Sequence, residues 1–154
     1  MSGVGSNPIK GAIPLLYERI VMYLLFDGGN GGPNVNKGYG SFIVKPSKHS
    51  THVIHHERVT FTAFPMTNNE AEYNTLIEAL TWILDNIDDP ESTYGKLLIE
   101  GDSELVRSQV LGLWQVKELR MKPLRDKAQS LLKHFIGAEY KHVERSYVVS
   151  QLGH

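Results

Sequence analysis

Cysteine is absent from all 154 residues, which excludes a disulfide framework, a thiolate metal site and a cysteine nucleophile. Also missing is any apolar run near the roughly 18–20 residues needed to cross a bilayer. Residues 12–26 are fairly apolar, but Glu18 and Arg19 interrupt them. Met1 to Lys10 is small and polar, with Gly3, Gly5 and Pro8, and has no signal-peptide core. These absences lead us to expect no membrane association and a cytoplasmic location. A strong net charge is lacking too: the formal value is −1, so nothing pulls the whole chain toward polyanions. What remains is the length and ordinary composition of one globular domain with a real core.

The distribution of charge is less even than its sum. From Val116 to Arg145 there are eight basic residues (Lys117, Arg120, Lys122, Arg125, Lys127, Lys133, Lys141, Arg145) and four acidic ones (Glu118, Asp126, Glu139, Glu144). Such a mixed basic face is most often simply solvated.

Residues 1–18 read as an N-terminal arm or linker, and residues 19–154 as the domain. Val21 to Phe26 is a short continuous apolar run, the pattern of a strand buried on both faces. It ends at Asp27 and opens into a loop, Gly28-Gly29-Asn30-Gly31-Gly32-Pro33-Asn34. Tyr39 to Val44 and Thr51 to Phe61 follow as strands around a turn at Pro46 to Ser50, which suggests an antiparallel meander. Thr67 and Glu70 form a capping-box pattern. Tyr73, Leu76, Ile77, Leu80, Ile83 and Leu84 then recur at helical spacing, and Asp88-Asp89-Pro90 stops the helix. Lys96 to Glu100 is another buried strand, followed by helices over Ser103 to Leu111 and Lys122 to Phe135. Glu139 to Val143 is the last strand. The order β-β-β-α-β-α-α-β predicts a mixed sheet with helices packed on it, an α/β or α+β layered domain.

Three acids occupy suggestive places. Asp27 and Asp102 each end an apolar strand; if those strands run parallel and adjacent, the carboxylates leave the same sheet edge. Glu72 lies in the first turn of the helix after Thr67. Singly, each has an ordinary reading: Asp27 as a turn residue, Asp102 as a helix cap, Glu72 as a stabiliser of a helix start. Brought together, they would repel unless a cation sat between them, and hard oxygen donors suit Mg²⁺ or Mn²⁺.

Asp27-Gly28-Gly29 with Tyr39-Gly40, Thr67-Asn68-Asn69-Glu70-Ala71-Glu72-Tyr73 and Gly101-Asp102-Ser103-Glu104-Leu105-Val106 resemble the three ordered motifs of type 1 ribonucleases H. Gly112-Leu113-Trp114-Gln115-Val116-Lys117, Met121-Lys122-Pro123-Leu124 and His142-Val143-Glu144-Arg145 resemble the archaeal, plant and retroelement branch, which lacks a basic handle helix. The resemblance covers about residues 21–145. It implies an α/β fold, a ribonuclease H-like mixed five-stranded sheet (three antiparallel strands, then parallel ones) flanked by helices. It further implies hydrolysis of the RNA strand of RNA/DNA hybrids, giving 5′-phosphate and 3′-hydroxyl ends. Asp27, Glu72 and Asp102 would be catalytic and hold two metal ions about 3.5–4 Å apart. Substrate contacts would come from Gly28, Gly29, Asn30, Thr67, Asn68, Asn69, Ser103 and Glu104, with Asn68 and Asn69 facing the minor groove and its 2′-hydroxyls. Glu104 replaces a common Gln and so cannot donate a hydrogen bond unless protonated. Thr67 has both a DNA-phosphate role and its capping role open to it. No organic cofactor is implied.

The chain departs from the family at its end. After Arg145 and two intervening residues, the family places Asn-x-x-Ala-Asp, in a C-terminal helix whose Asp is a fourth carboxylate. Here Ser146 to His154 follows, and Leu152 takes the acid's position. We therefore expect the usual C-terminal helix to be missing and one metal site to be weakened. His154, His142 and Arg145 are candidate auxiliaries; His142, alternating with apolar neighbours, also suits a structural role. Two other classes stay open: a hybrid-binding module with little catalysis, and a protein-interaction domain that keeps only the fold.

Overall fold

The alternation hidden in the first apolar run explains the architecture. In a strand, successive side chains point to opposite faces. Met22, Leu24 and Phe26 join one buried cluster, whereas Tyr23 and Leu25 join another. The strand carrying them, β1 (Ile20–Asn30), is therefore covered on both sides.

The structure is a computed structural model and describes residues 20–31, 37–62, 65–87 and 96–153. Around β1 lie β2 (Gly38–Lys45), β3 (His55–Thr60), β4 (Lys96–Gly101) and β5 (Ala138–His142), in the order β3-β2-β1-β4-β5. β1 pairs antiparallel with β2, and β2 with β3; β1–β4 and β4–β5 are parallel. This is the mixed five-stranded sheet that the sequence led us to expect. Helices α1 (Asn68–Asn86), α2 (Glu104–Val110) and α3 (Lys122–Leu132) supply Leu76, Leu80, Ile83, Val106, Val110 and Ala128 to the larger cluster. Among the described residues, no helix is long and apolar enough to cross a membrane.

Two expectations are corrected. Gly28, Gly29 and Asn30 belong to β1 and not to a loop: they pair with Gly40, Tyr39 and Gly38. Glycine is needed there because α1 presses against the strand. A Cβ on Gly28 would lie 2.5 Å from the Ala71 carbonyl oxygen. The second correction concerns the chain's end, where Arg145–Leu152 forms a helix, α4. Val148 and Leu152, one turn apart, are buried against Tyr23, Leu25, Ile43 and Leu98 on the opposite sheet face from α1. Gly153, at φ 84°, ends the helix in the left-handed region that glycine tolerates. The arm at 1–18, the loop residues from Gly32 to Asn34, the stop at Asp88-Asp89-Pro90 and His154 lie outside the described residues.

Candidate metal centre

The parallel register fixes where the first and third acids meet. Leu25 stands opposite Glu100, so Asp27 and Asp102, each two residues further on, leave β1 and β4 at the same sheet edge. Asp102 follows the last residue of β4, while Asp27 lies inside the longer β1. Glu72 comes from α1 and is its fifth residue; the acid of the first turn is Glu70, a correction to the expected placement. Glu70 instead completes the cap: its backbone N–H donates to Thr67 Oγ1 at 3.2 Å, and its Oε1 accepts from the Thr67 N–H at 3.0 Å.

Asp27, Glu72 and Asp102 each offer an oxygen, and these oxygens lie within 4.8 Å of one another. Asp27 and Glu72 are buried; Asp102 is half-buried. Burial, and then the charges of Asp27 and Asp102, push the Glu72 carboxyl up to about 9. Burial also raises Asp27, against the lowering effect of its hydrogen bond from Arg145. Arg145 Nη1 donates to Asp27 Oδ2 at 2.6 Å and to Asp102 Oδ2 at 3.1 Å, so one cationic nitrogen already stands between two of the acids. Glu72 Oε2 is buried with no hydrogen-bond partner among the described residues, although a buried oxygen of this kind normally has one. Three hard oxygen donors, one of them unsatisfied, in a pocket that already attracts a cation, fit Mg²⁺ or Mn²⁺.

The family model described as reverse transcriptase-like matches residues 31–150. The chain belongs to this family. Within it, the chain is of the ribonuclease H type, the resemblance its motifs carried. It is 37% identical over 81 residues, 52% of its length, to a ribonuclease HI of Halobacterium salinarum. It is 34% identical over 120 residues, 78% of its length, to a bifunctional protein of Mycobacterium tuberculosis. The chain spans 37% and 30% of the lengths of these two curated relatives. The solved N-terminal ribonuclease H domain of the mycobacterial protein superposes with a TM-score of 0.72 at 27% identity, covering 84% of this chain and 86% of that one. LC11-RNase H1, solved in complex with an RNA/DNA hybrid, superposes at 0.67 over 84% of this chain and 89% of that one; at 22% identity it speaks for the fold alone.

In this ribonuclease H-type domain the other expected residues fall into two groups. Gly28, Gly29, Asn30, Thr67, Asn68 and Asn69 gather where β1 meets the start of α1. The Asn30 backbone N–H donates to Asn68 Oδ1 at 2.8 Å, which joins the two elements. Ser103 and Glu104 open α2, and Ser103 Oγ caps it by accepting from the Val106 N–H. Glu104 Oε2 accepts from Ser108 Oγ at 2.8 Å and from Arg107 Nη1 at 2.9 Å, and these bonds, Ser108 first, lower its pKa. It is an ionised acceptor. His142 sits beside the acids, its Nε2–H donating to the Asp102 carbonyl at 3.2 Å. Arg145, expected only as an auxiliary, stands inside the acidic cluster. Two residues escaped the sequence reading. Arg120 pairs with Glu70 at 2.9 Å and donates to the Pro65 carbonyl, bracing the start of α1. Tyr140 places a buried hydroxyl near Glu72, whose charge adds to burial in raising its pKa. Only the alternation of β5 could have pointed to its inward side.

Proposed function

We propose that this domain is a divalent-metal-dependent endonuclease that hydrolyses the RNA strand of RNA/DNA hybrids. The convergence of Asp27, Glu72 and Asp102 within 4.8 Å carries the reading. The relative named ribonuclease HI and the solved ribonuclease H domain of the mycobacterial protein support the choice of substrate. Bound Mg²⁺ or Mn²⁺ would supply charge neutralisation at phosphorus and an activated water. Asp27, Glu72 and Asp102 would together hold the ions. Cleavage by in-line displacement would leave 5′-phosphate and 3′-hydroxyl ends. Gly28 and Gly29, with no side chains, let the start of α1 pack close beside the acids. Asn68 and Asn69, at the start of α1, would make polar contacts to the sugar edge of the RNA strand.

A second reading, a hybrid-binding module with weak catalysis, is favoured by one observation: Leu152 is packed in the core and α4 brings a cation, not a fourth acid, to the centre. A labelled RNA/DNA hybrid incubated with Mg²⁺ or Mn²⁺ separates the two. Cutting of the RNA strand, abolished by Asp27→Asn, is the expected outcome. Salt-sensitive hybrid binding without cutting would refute the nuclease and leave the module.

A further inference from the structure

Arg145 is the first residue of α4, a position where the helix dipole disfavours a cation. The helix has no side-chain cap hydrogen bond, and its N-cap acid, Glu144, is exposed to solvent. Local preference therefore does not hold the guanidinium at the sheet edge; the carboxylates do. A single nitrogen, Nη1, bridges Asp27 Oδ2 and Asp102 Oδ2. Any ion ligated by both residues must enter that same space.

The guanidinium is also built to leave. The Arg145 side chain is 55% exposed against 2% for Asp27, so it reaches the acids from the solvent side. Val148 and Leu152 anchor α4 independently on the sheet. Swinging Arg145 out breaks two hydrogen bonds and leaves Val148 and Leu152 in place.

We infer that Arg145 is the internal counter-ion of this centre, a positioning residue that holds Asp27 and Asp102 together and that a divalent cation must displace. The inference rests on the reading of the acids as a metal site. It turns the centre into an exchange: two charge-assisted hydrogen bonds are given up for metal–oxygen bonds, and a guanidinium is freed at the rim. Apparent metal affinity is then lowered by the fraction of time the site is closed. A site open a tenth of the time binds about tenfold more weakly than an open one.

The test is Mn²⁺ binding by calorimetry on the whole chain, its Arg145→Gln variant and a Lys141→Gln control. Lys141 carries the same charge on β5, where it pairs with Glu139 at 3.7 Å. Arg145→Gln is expected to bind Mn²⁺ about tenfold tighter, and Lys141→Gln to stay within about twofold of the parent because exposed charges are screened. Equal or weaker binding by Arg145→Gln overturns the proposal, as does equal tightening in Lys141→Gln. If neither parent nor variant binds Mn²⁺, the metal reading itself fails, a distinguishable result. On the unsubstituted chain, the Arg145 Nε–H NMR signal, assigned by its loss in Arg145→Lys, is expected to shift with the same Mg²⁺ midpoint as the Gly28 amide. A signal that stays fixed while Mg²⁺ binds also overturns it.

Discussion

Replacing Leu152 with Asp writes the family's missing acid back into the position that sequence register assigns to it. The structure predicts that this damages the fold and restores nothing. α4 starts at the metal centre with Arg145, and seven residues at about 1.5 Å rise each carry position 152 about 10 Å along the axis. There Leu152 is 2% exposed among Tyr23, Leu25, Ile43, Leu98 and Val148. Losing a buried leucine costs about 2–5 kcal/mol, and a carboxylate placed in an apolar site either adds a desolvation penalty or takes up a proton. Because α4 is short, the domain can shed it instead, which caps the cost near that of uncovering the leucine's neighbours. We expect a loss of about 3–5 kcal/mol in urea unfolding and a Tm lowered by roughly 2–4 °C per kcal/mol. Mg²⁺ affinity measured by calorimetry should rise no further than in Arg145→Gln, because shedding α4 removes the arginine and supplies no fourth acid. The control, Leu152→Met, keeps the volume and should cost less than about 1.5 kcal/mol. A Leu152→Asp protein as stable as its parent, binding Mg²⁺ more tightly, would refute the placement of α4.

The Glu72 carboxyl, raised to about 9 by burial and by its acidic neighbours, makes the metal-free fold pH-dependent. The folded state holds this proton more tightly than the unfolded one, so its stabilising effect is complete below the unfolded value of 4.5 and is lost as pH rises toward 9. We expect metal-free stability to fall across that window by up to about 1.4 kcal/mol per pH unit. Glu72→Gln should flatten the profile while abolishing metal binding; an unchanged slope in urea titrations would be contrary evidence. On the other side of the sheet, buried Glu100 accepts from Tyr23 at 2.7 Å and from Lys48 Nζ at 2.8 Å. Lys48→Ala strands part of that charge and should cost about 1–3 kcal/mol. Adding Glu100→Gln should return most of the loss, and a double variant no better than the single would count against the pairing.

The centre was legible because two apolar strands announced themselves without ambiguity. Val21 to Phe26 and Lys96 to Glu100 are continuous runs of the kind that parallel, doubly covered strands need, and an acid follows each. Once the two are neighbours, register alone brings Asp27 to Asp102. The capping box at Thr67 was equally readable, since both of its hydrogen bonds depend on residue types three apart. The failures have different causes. Gly28-Gly29-Asn30 has the composition of a turn, but its glycines answer to the close approach of Ala71, a tertiary demand that no local pattern reveals. α4 was missed because its signals are faint: its buried positions are Val148 and Leu152, it has no side-chain cap, and a β-branched pair, Val148-Val149, sits mid-helix. Its stability comes from the face of β1 and β2 on which it lies.

That face gives the site a property that neither layer has alone. Glu72 reaches the centre from α1 on one side of the sheet, while Arg145 reaches it from α4, which packs on the other. With no ion present, α4 is held in part by Val148, Leu152 and the two bonds that Arg145 makes to Asp27 and Asp102. An ion that takes those carboxylates leaves α4 with its apolar anchors, the Arg58 bond to the Leu152 carbonyl and the Tyr147–Tyr23 hydroxyl contact. Binding at the centre and docking of the helix are therefore linked, and linkage is reciprocal: whatever tightens the grip of α4 on its arginine must weaken the ion, by the same free energy.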